Sequence, residues 1–286
     1  MGAILARAFA DDEVVVLGRS GPVAWDGRTL GPWAETIDGA DVVINLAGRS
    51  VNCRYDEANR RAIMDSRVDS TRVLGEAIAR AANPPRVWLQ SSTATIYADR
   101  YDAPNDERTG IIGDGFSVGV AQAWERAAVE SCPPGTRLVL LRSAMVMSPD
   151  RGGIFDVLLG LVRRRLGGSA AGGRQYVSWI HGEDFARALR FLIEHELEGP
   201  VNVAAPIPLP YAAFMGALRE AWGTRIGLPA TRWMLELGAW AMRTETEFAL
   251  KSRRVVPARL AEAGFAFDYP EWPAAARDLV ADWRMR

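Results

Sequence analysis

The sequence has little cysteine and no long apolar run, and each shortage excludes a class of protein. Its two cysteines, Cys53 and Cys132, lie far apart in 286 residues and form neither a CxxC pair nor a metal-ligand spacing. This pattern predicts reduced thiols in a cytoplasmic protein, without a metal site. No apolar stretch reaches the roughly 20 residues of a membrane-spanning helix. Because the N-terminus also lacks the basic and apolar regions of a signal peptide, we expect no membrane contact.

An excess of charge of one sign is lacking as well. The 34 basic and 35 acidic residues give a net charge of −1. This balance argues against a nucleic-acid-binding surface or a polybasic membrane contact. The hydrophobic fraction of 49% and the charged fraction of 24% are those of an ordinary soluble globular protein, with room for one large domain or two modest ones.

What the sequence does have is a regular alternation of strands and helices. Short apolar runs bounded by turn residues predict buried strands at 14–17, 40–46, 86–90 and 137–146. Helical spacing predicts helices at 2–9, 54–81 and 118–129, the second with many arginines opposite its apolar face. This alternation predicts an α/β fold whose parallel sheet carries helices on both faces. Further short strands and helices are predicted at 176–180, 183–195, 201–204, 210–222, 231–250, 257–262 and 273–283.

The strand at 86–90 ends abruptly at hydroxyl side chains, which are Ser91, Ser92, Thr93, Thr95 and Tyr97. Open α/β sheets bind ligands outside the carboxyl ends of their strands. Hydroxyl groups placed there are able to donate to a substrate carbonyl or to a nicotinamide amide. The alternative is that they cap the strand and satisfy a turn.

Six stretches together resemble a known family. They resemble the extended short-chain dehydrogenase/reductases, and more closely their atypical branch of epimerase-family, nucleoside-diphosphate-sugar epimerase-like proteins with a small C-terminal domain. The stretches are DVVINLAGRSVNCRY at 41–55, SSTATIYA at 91–98, LRSAMVMSPDRGG at 141–153, GGRQYVSWIHGEDFARAL at 172–189, GPVNVAAP at 199–206 and RRVVPARLAEAGFAF at 253–267. The resemblance implies a Rossmann-like domain over 1–150, to which 176–205 returns, and a smaller, mostly helical substrate-side domain over 151–175 and 206–286.

The resemblance also implies that the Rossmann-like domain binds NAD(P). The cofactor-binding positions that it carries over are Gly2, Arg19, Asn45, Leu46, Ala47, Gly48, Ser91, Ser92 and Ser143. Ala47 and Gly48 are small enough to let the backbone approach a ribose or phosphate. Arg19 follows the strand that points at the adenosine ribose, where an arginine suits a 2′-phosphate and favours NADP(H) over NAD(H). Arg19 is alternatively a solvated loop charge.

The chain departs from the family pattern in two places. Met1 is followed directly by Gly2, which resembles the last glycine of a GGTGxxG-like turn, so the first strand and the glycine-rich loop are expected to be missing and pyrophosphate binding to be weakened. Ser117 and Ala121 stand at the positions of the catalytic Tyr-x-x-x-Lys pair. Neither residue replaces its chemistry, because serine is a far weaker acid than tyrosine and alanine carries no charge.

Thr93 matches the remaining catalytic hydroxyl of the family. Tyr97 is either a proton donor that faces the nicotinamide or a packed core residue. The substrate side is predicted to include Arg174, Gln175 and Trp179, since arginine and glutamine bind anionic or sugar-like ligands by paired hydrogen bonds.

Three other features have structural interpretations beside functional ones. His181 and Asp184 are interpreted as caps of the helix that follows them, against a role in the substrate cleft. Arg142, after a buried strand, is either an ion-pair anchor or a cleft residue. The apolar side of the helix at 231–250 is expected to pack within the C-terminal domain, with a homodimer contact as its second use.

These observations predict an NADP(H)-binding oxidoreductase or epimerase-like enzyme that acts on a small substrate that the sequence does not identify, a sugar-linked compound being one candidate. Thr93 would orient a substrate carbonyl, and Tyr97 or a water molecule would supply the proton. Two alternatives stay open. One is a non-catalytic dinucleotide-binding or regulatory protein that has lost the Tyr-Lys pair, and the other is a cofactor-free scaffold if Met1 is the true start.

Overall fold

The computed structural model describes residues 1–20, 22–229 and 251–286. The chain forms two compact units, each assembled from separate stretches of sequence. Unit 1 comprises Met1–Ile96, Asp114–Arg142 and Ala186–Val201. Unit 2 comprises Tyr97–Gly113, Ser143–Phe185 and Asn202–Arg286.

The strands are short, and most of them pair in parallel. In chain order they are β1 (Leu17–Gly18), β2 (Val23–Ala24), β3 (Val42–Asn45), β4 (Val87–Thr93), β5 (Arg137–Ser143), β6 (Met145–Met147), β7 (Tyr176–Val177), β8 (Trp179–His181), β9 (Gly199–Val203) and β10 (Leu209–Pro210). Four of them form one sheet in the order β3-β4-β5-β9. The pairs β1–β2 and β6–β8 are also parallel, whereas β7 and β10 are antiparallel.

Helices connect most of these strands. They are α1 (Gly2–Ala8), α2 (Glu57–Arg80), α3 (Phe116–Ser131), α4 (Ile154–Arg163), α5 (Gly182–Glu194), α6 (Tyr211–Trp222), α7 (Ala258–Glu262) and α8 (Trp272–Met285). Helix α2 begins after Asp56, whose carboxylate accepts the backbone N–H of Asn59 at 2.8 Å and so caps the first turn. It packs closely on α3 at Gly75, where a Cβ would lie 2.4 Å from Cβ of Ser131. A glycine is therefore needed for this helix contact.

Each unit has its own hydrophobic core. In unit 1, Trp88 of β4 and Ile78 of α2 are fully buried, together with side chains from neighbouring strands and from a short 3-10 helix, Pro32–Ile37. In unit 2, α4, α6 and α8 close over the β6–β8 pair, and Trp272 lies at the centre of that cluster. The predicted α/β fold with a parallel, Rossmann-like sheet and a smaller helical C-terminal region is confirmed.

The prediction of a strand at 14–17 is wrong for most of its length. Val14, Val15 and Val16 lie outside any strand and are each about half exposed, at 49%, 51% and 50%. Only Leu17 and Gly18 pair, with β2. β-Branched residues favour extended backbone, but a strand also needs a hydrogen-bonding neighbour, and no described residue supplies one to these valines.

Two other long strands are each divided in the structure. The run at 137–146 becomes β5 and β6, because the Ala144 N–H donates to the Val203 carbonyl whereas the Met145 N–H donates to the Ser178 carbonyl. The run at 176–180 likewise becomes β7 and β8. Helix α4 and strand β10 were not predicted, and the helix predicted at 231–250 lies outside the described residues.

Candidate functional site

The carboxyl ends of β3 and β4 form one edge of unit 1. The strands run parallel with Asn45 opposite Gln90, so the residues that follow each strand emerge side by side. These residues are Leu46–Gly48 after β3 and Ser91–Thr93 at the end of β4. The structure thus brings together two of the stretches that the sequence predicts to bind the cofactor. Gly48 is exposed there, which leaves its backbone accessible to a ligand.

A buried amide network holds the first of these stretches. The Asn45 side-chain N–H donates to Gln90 Oε1 at 2.9 Å and to Thr71 Oγ1 at 3.4 Å, and its Oδ1 accepts the Ala47 N–H at 2.9 Å. The Trp124 indole N–H also donates to Thr71 Oγ1, at 3.0 Å. Asn45 is 2% exposed, and its amide is committed to the protein. The role of Asn45 is therefore to fix the turn at Ala47 and Gly48. A ligand at this edge would contact the turn and not the Asn45 side chain.

Ser92 belongs to a second buried network. Its hydroxyl donates to Glu125 Oε1 at 2.6 Å, and the Arg142 guanidinium binds the same carboxylate through both oxygens, at 2.9 and 2.8 Å. All three side chains are buried. This geometry identifies Arg142 as an ion-pair anchor within unit 1. It also shows that the Ser92 hydroxyl proton is already engaged, and Ser91 beside it is buried as well.

The two predicted catalytic hydroxyls have different surroundings. Thr93 is partly buried, and its Oγ1 accepts the Thr95 N–H at 3.1 Å, a contact that leaves the hydroxyl proton for a ligand. Tyr97, in unit 2, is 2% exposed, and its hydroxyl donates to Asn202 Oδ1 at 2.9 Å. This burial favours the packing interpretation of Tyr97. Its role as a proton donor stays a prediction.

The helix that would carry a Tyr-x-x-x-Lys pair is α3. Ala121, at the lysine position, is completely buried within unit 1, and Ser117 lies one turn before it. Lys251 is the single lysine of the whole chain, and it belongs to unit 2. Helix α3 therefore offers neither the phenol nor the ammonium group of that pair.

Two of the other positions predicted to bind the cofactor, Gly2 and Arg19, are exposed. Gly2 opens α1, and a Cβ built on it meets no atom within 4 Å, so sterics alone do not require glycine there. Arg19 follows β1 and is exposed. Ser143 is the last residue of β5 and is partly buried. The structure leaves their cofactor roles as predictions.

Two of the predicted substrate residues lie inside unit 2. Gln175 is 4% exposed, and its amide N–H donates to the Ala170 carbonyl at 3.0 Å. Trp179 is fully buried with its ring edge-on to Trp272, the centroids being 4.9 Å apart. Only Arg174 of the three is exposed. A substrate contact through Gln175 or Trp179 would thus require unit 2 to open, so Arg174 is the better candidate.

His181 and Asp184 hold the start of α5. His181 Nδ1 accepts the Glu183 N–H at 3.2 Å, as the capping interpretation predicts. Asp184 lies in the first turn of α5, and its carboxylate accepts the backbone N–H groups of Asp268 and Tyr269 at 2.9 and 2.8 Å. Its role as a cap stays a prediction. Asp184 is fully buried, and it ties the segment before α8 to α5 within unit 2.

His181 gives unit 2 a pH-dependent stability. Its ring stacks on Tyr269 at 3.8 Å, and Nε2 lies 3.2 Å from Asp278 Oδ2. Burial lowers the pKa of His181 below 6.5, although Glu183, Asp278 and Asp184 oppose that shift. Below this pH the unfolded chain binds a proton that the folded chain does not, so stability falls as the pH falls.

We therefore expect the melting temperature to drop between pH 7.5 and 5.5, and to drop less in the His181→Gln variant. Thermal unfolding followed by circular dichroism across this range measures the difference between the two proteins. Glu107, whose pKa burial raises, contributes equally to both proteins and cancels in that difference. Parallel pH profiles of the two proteins would contradict the assignment.

The described residues hold neither a metal-binding group nor a membrane-spanning segment. No group of three or more His, Cys, Asp or Glu side chains is arranged to hold a metal ion in this part of the chain. Across the same residues, none of the helices is both long enough and apolar enough to cross a membrane.

The sheet and the loops at its carboxyl edge define a Rossmann-like α/β class of protein. Comparison with known sequences makes this specific. The NAD dependent epimerase/dehydratase family matches residues 10–204, and a domain of unknown function (DUF1731) matches residues 230–279. The chain belongs to the NAD dependent epimerase/dehydratase family.

Individual relatives agree with this assignment. The mouse epimerase family protein SDR39U1 is 32% identical over 279 residues, which cover 92% of this chain and 93% of the relative. The crystal structure of human epimerase family protein SDR39U1 (isoform2) with NADPH superposes with a TM-score of 0.85 at 26% identity, covering 98% of this chain and 96% of that chain. A nucleoside-diphosphate sugar epimerase from Corynebacterium glutamicum superposes with a TM-score of 0.74 at 27% identity, covering 96% of this chain and 55% of that one.

Proposed function

We propose that this protein binds NADP(H) at the carboxyl edge of β3 and β4 and acts as an oxidoreductase or epimerase on a small, sugar-linked substrate. The observation that carries the proposal is the parallel pairing of β3 with β4, which places Leu46–Gly48 beside Ser91–Thr93. Support comes from the similar human protein, whose structure holds NADPH, and from the similar nucleoside-diphosphate sugar epimerase.

The residues at this edge fit a dinucleotide. The exposed turn at Gly48 offers backbone to a ribose or phosphate, and Asn45 fixes that turn from below. Arg19 is exposed after β1, where its guanidinium would pair with a 2′-phosphate. When bound, the cofactor supplies hydride transfer at its nicotinamide ring. Thr93 would orient the substrate carbonyl with its free hydroxyl proton.

A second candidate function is non-catalytic dinucleotide binding. It is favoured by the buried Ala121 at the lysine position and by the engagement of the Tyr97 hydroxyl with Asn202. In this alternative the edge of β3 and β4 still binds the cofactor. Turnover separates the two functions, because only an enzyme oxidises NADPH with a sugar-linked carbonyl substrate and loses that rate in Thr93→Val.

Titration with NADPH and with NADH tests the cofactor site and the role of Arg19. We expect NADPH to bind more tightly, and Arg19→Glu to weaken NADPH by about tenfold or more, since a hydrogen bond to a charged group contributes about 1.5–3 kcal/mol. NADH binding should be little changed. Energy transfer from tryptophan to the nicotinamide reports both affinities.

Arg126→Glu is the matched control, because Arg126 is an exposed arginine on α3 of the same unit and the charge change is identical. Equal losses in the two variants would mean that Arg19 acts through overall charge alone. A folded protein that binds neither nucleotide would overturn the proposed function.

A further inference from the structure

Beside the turn at Gly48 lies an arginine whose surroundings are unusual. Arg67, on α2, directs its guanidinium across the backbone of Gly48 and over the ring of Trp124, with Cζ 5.0 Å from the ring centroid. A Cβ on residue 48 would lie 3.2 Å from that Cζ atom. No left-handed backbone angle is recorded at Gly48, so what glycine provides there is space for the guanidinium.

The hydrogen bonds of Arg67 use only part of its donor capacity. Nη1 donates to the carbonyls of Arg49 and Ile63, both at 3.1 Å. Within the described ranges, Nε and Nη2 donate to no acceptor, and no carboxylate pairs with this side chain. Three of its five N–H donors remain for another partner. Both acceptors that it does bind are neutral, so its full positive charge persists.

Arg49, next to Gly48 in the sequence, and Arg60, on α2, also bind neutral acceptors. Arg49 donates from Nη2 to the Asn59 amide oxygen at 2.8 Å, and Arg60 donates from Nε to the Tyr55 carbonyl at 2.7 Å. The Arg60 guanidinium also lies over the Phe116 ring, at 4.9 Å. None of these contacts neutralises charge, and among the described residues neither arginine pairs with a carboxylate.

Two solvent-facing arginines of α2 differ from Arg67 in having carboxylate partners. Arg61 pairs with Glu57 at 2.7 Å and Arg80 pairs with Glu76, each one helical turn apart. Arg61 and Arg80 are thus paired with carboxylates, whereas Arg67, which lies against Gly48, has no such partner among the described residues. Burial also lowers the pKa of Arg67, which indicates a partly dehydrated cation. An anion reaching such a group loses less to solvent screening than it would at the surface.

We propose that Arg67, assisted by Arg49, binds a phosphate group of the ligand that occupies the β3–β4 edge. The guanidinium lies against Gly48, and its Nε and Nη2 form a planar fork of donors, which is the geometry that phosphate oxygens accept. This proposal rests on the proposed function, which assigns nucleotide binding to the carboxyl edge of β3 and β4. The phosphate belongs either to the dinucleotide or to a nucleoside-diphosphate-linked substrate, and these two sources share one chemistry.

Calorimetric titration of the intact protein distinguishes a phosphate of the dinucleotide from a phosphate of the substrate. The probes are inorganic pyrophosphate alone, NADPH alone, and UDP added to NADPH-saturated protein. The proteins are wild type, Arg67→Gln, Arg67→Lys and the control Arg61→Gln, which removes a paired arginine from the same helix. We expect at least one probe to lose about tenfold in affinity in Arg67→Gln, and less in Arg67→Lys, while Arg61→Gln binds as wild type.

The probe that weakens identifies the source, with NADPH indicating the cofactor and UDP the substrate. Gly48→Ala is a second variant that retains the arginine but crowds its guanidinium, and it should weaken the same probe. Arg67-dependent pyrophosphate binding without NADPH binding would support this site and overturn the proposed function. Normal NADPH binding with every probe unaffected by Arg67→Gln would overturn this site alone, and binding of no probe by wild type would overturn both.

Discussion

Replacing Arg142 with methionine is expected to lower the free energy of unfolding by about 3–5 kcal/mol. Arg142 and Glu125 form a two-point ion pair in the interior of unit 1, with both side chains only about a tenth exposed. Removing the guanidinium takes the counter-ion away from the buried Glu125 carboxylate, which keeps its hydrogen bond from the Ser92 hydroxyl. A buried charge without its counter-ion is costly, because water no longer solvates it. Urea unfolding followed by circular dichroism measures the loss.

The double variant Glu125→Leu/Arg142→Met distinguishes the contribution of the ion pair from the cost of burying an unpaired charge. Replacing both charges by apolar groups of similar size removes the unpaired carboxylate, so most of the lost stability should return. Thermodynamic coupling between the two substitutions is then large. A double variant as unstable as the sum of the single variants would show that the two charges act independently.

Replacing Trp272 with alanine is expected to cost a comparable 3–5 kcal/mol or so. Trp272 opens α8 and is 1% exposed at the centre of the unit 2 core. Its ring stacks on Phe214 at a centroid distance of 4.0 Å, and its indole N–H donates to the Phe214 carbonyl at 2.8 Å. Truncation would therefore leave a large cavity and remove the hydrogen bond to the Phe214 carbonyl. Denaturant unfolding measures this loss as well.

Trp272→Phe is the matched control for Trp272→Ala. It retains a stacked aromatic ring and removes only the indole N–H and part of the ring volume. Its loss should be less than half that of Trp272→Ala, since stacking and burial account for most of the contribution. Equal losses in the two variants would instead assign the contribution to the single hydrogen bond.

The sequence predicted the edge of β3 and β4 well because that edge depends on local pattern. Each strand is a short apolar run that ends at polar or small residues, and parallel pairing brings such ends together without further information. The strand limits were less accurate, as Val14–Val16 shows. Whether an extended apolar segment finds a pairing partner depends on distant parts of the chain.

The buried side-chain contacts behind the carboxyl edge of β3 and β4 could not be predicted from the sequence. Asn45 pairs with Gln90 and Thr71, which are 45 and 26 residues away, and nothing in local periodicity indicates such partners. Arg67 was missed for a related reason. On the sequence it is one arginine among many opposite the apolar face of α2, and only its position on Gly48 and Trp124 distinguishes it from Arg61. A glycine that follows a strand directly was the one available signal.

The interleaving of the two units has a consequence for how the protein is made. Arg190 donates to the Ala8 carbonyl and to Asp12, a contact that spans 178 residues in the second case, and its guanidinium lies over the Phe9 ring. At ribosomal speeds of 5–20 residues per second, the N-terminal helix waits roughly ten to forty seconds for this neighbour to be synthesised. During that interval the apolar side chains of α1 lack part of their final cover, so this segment stays open to non-native contacts until Arg190 has been synthesised.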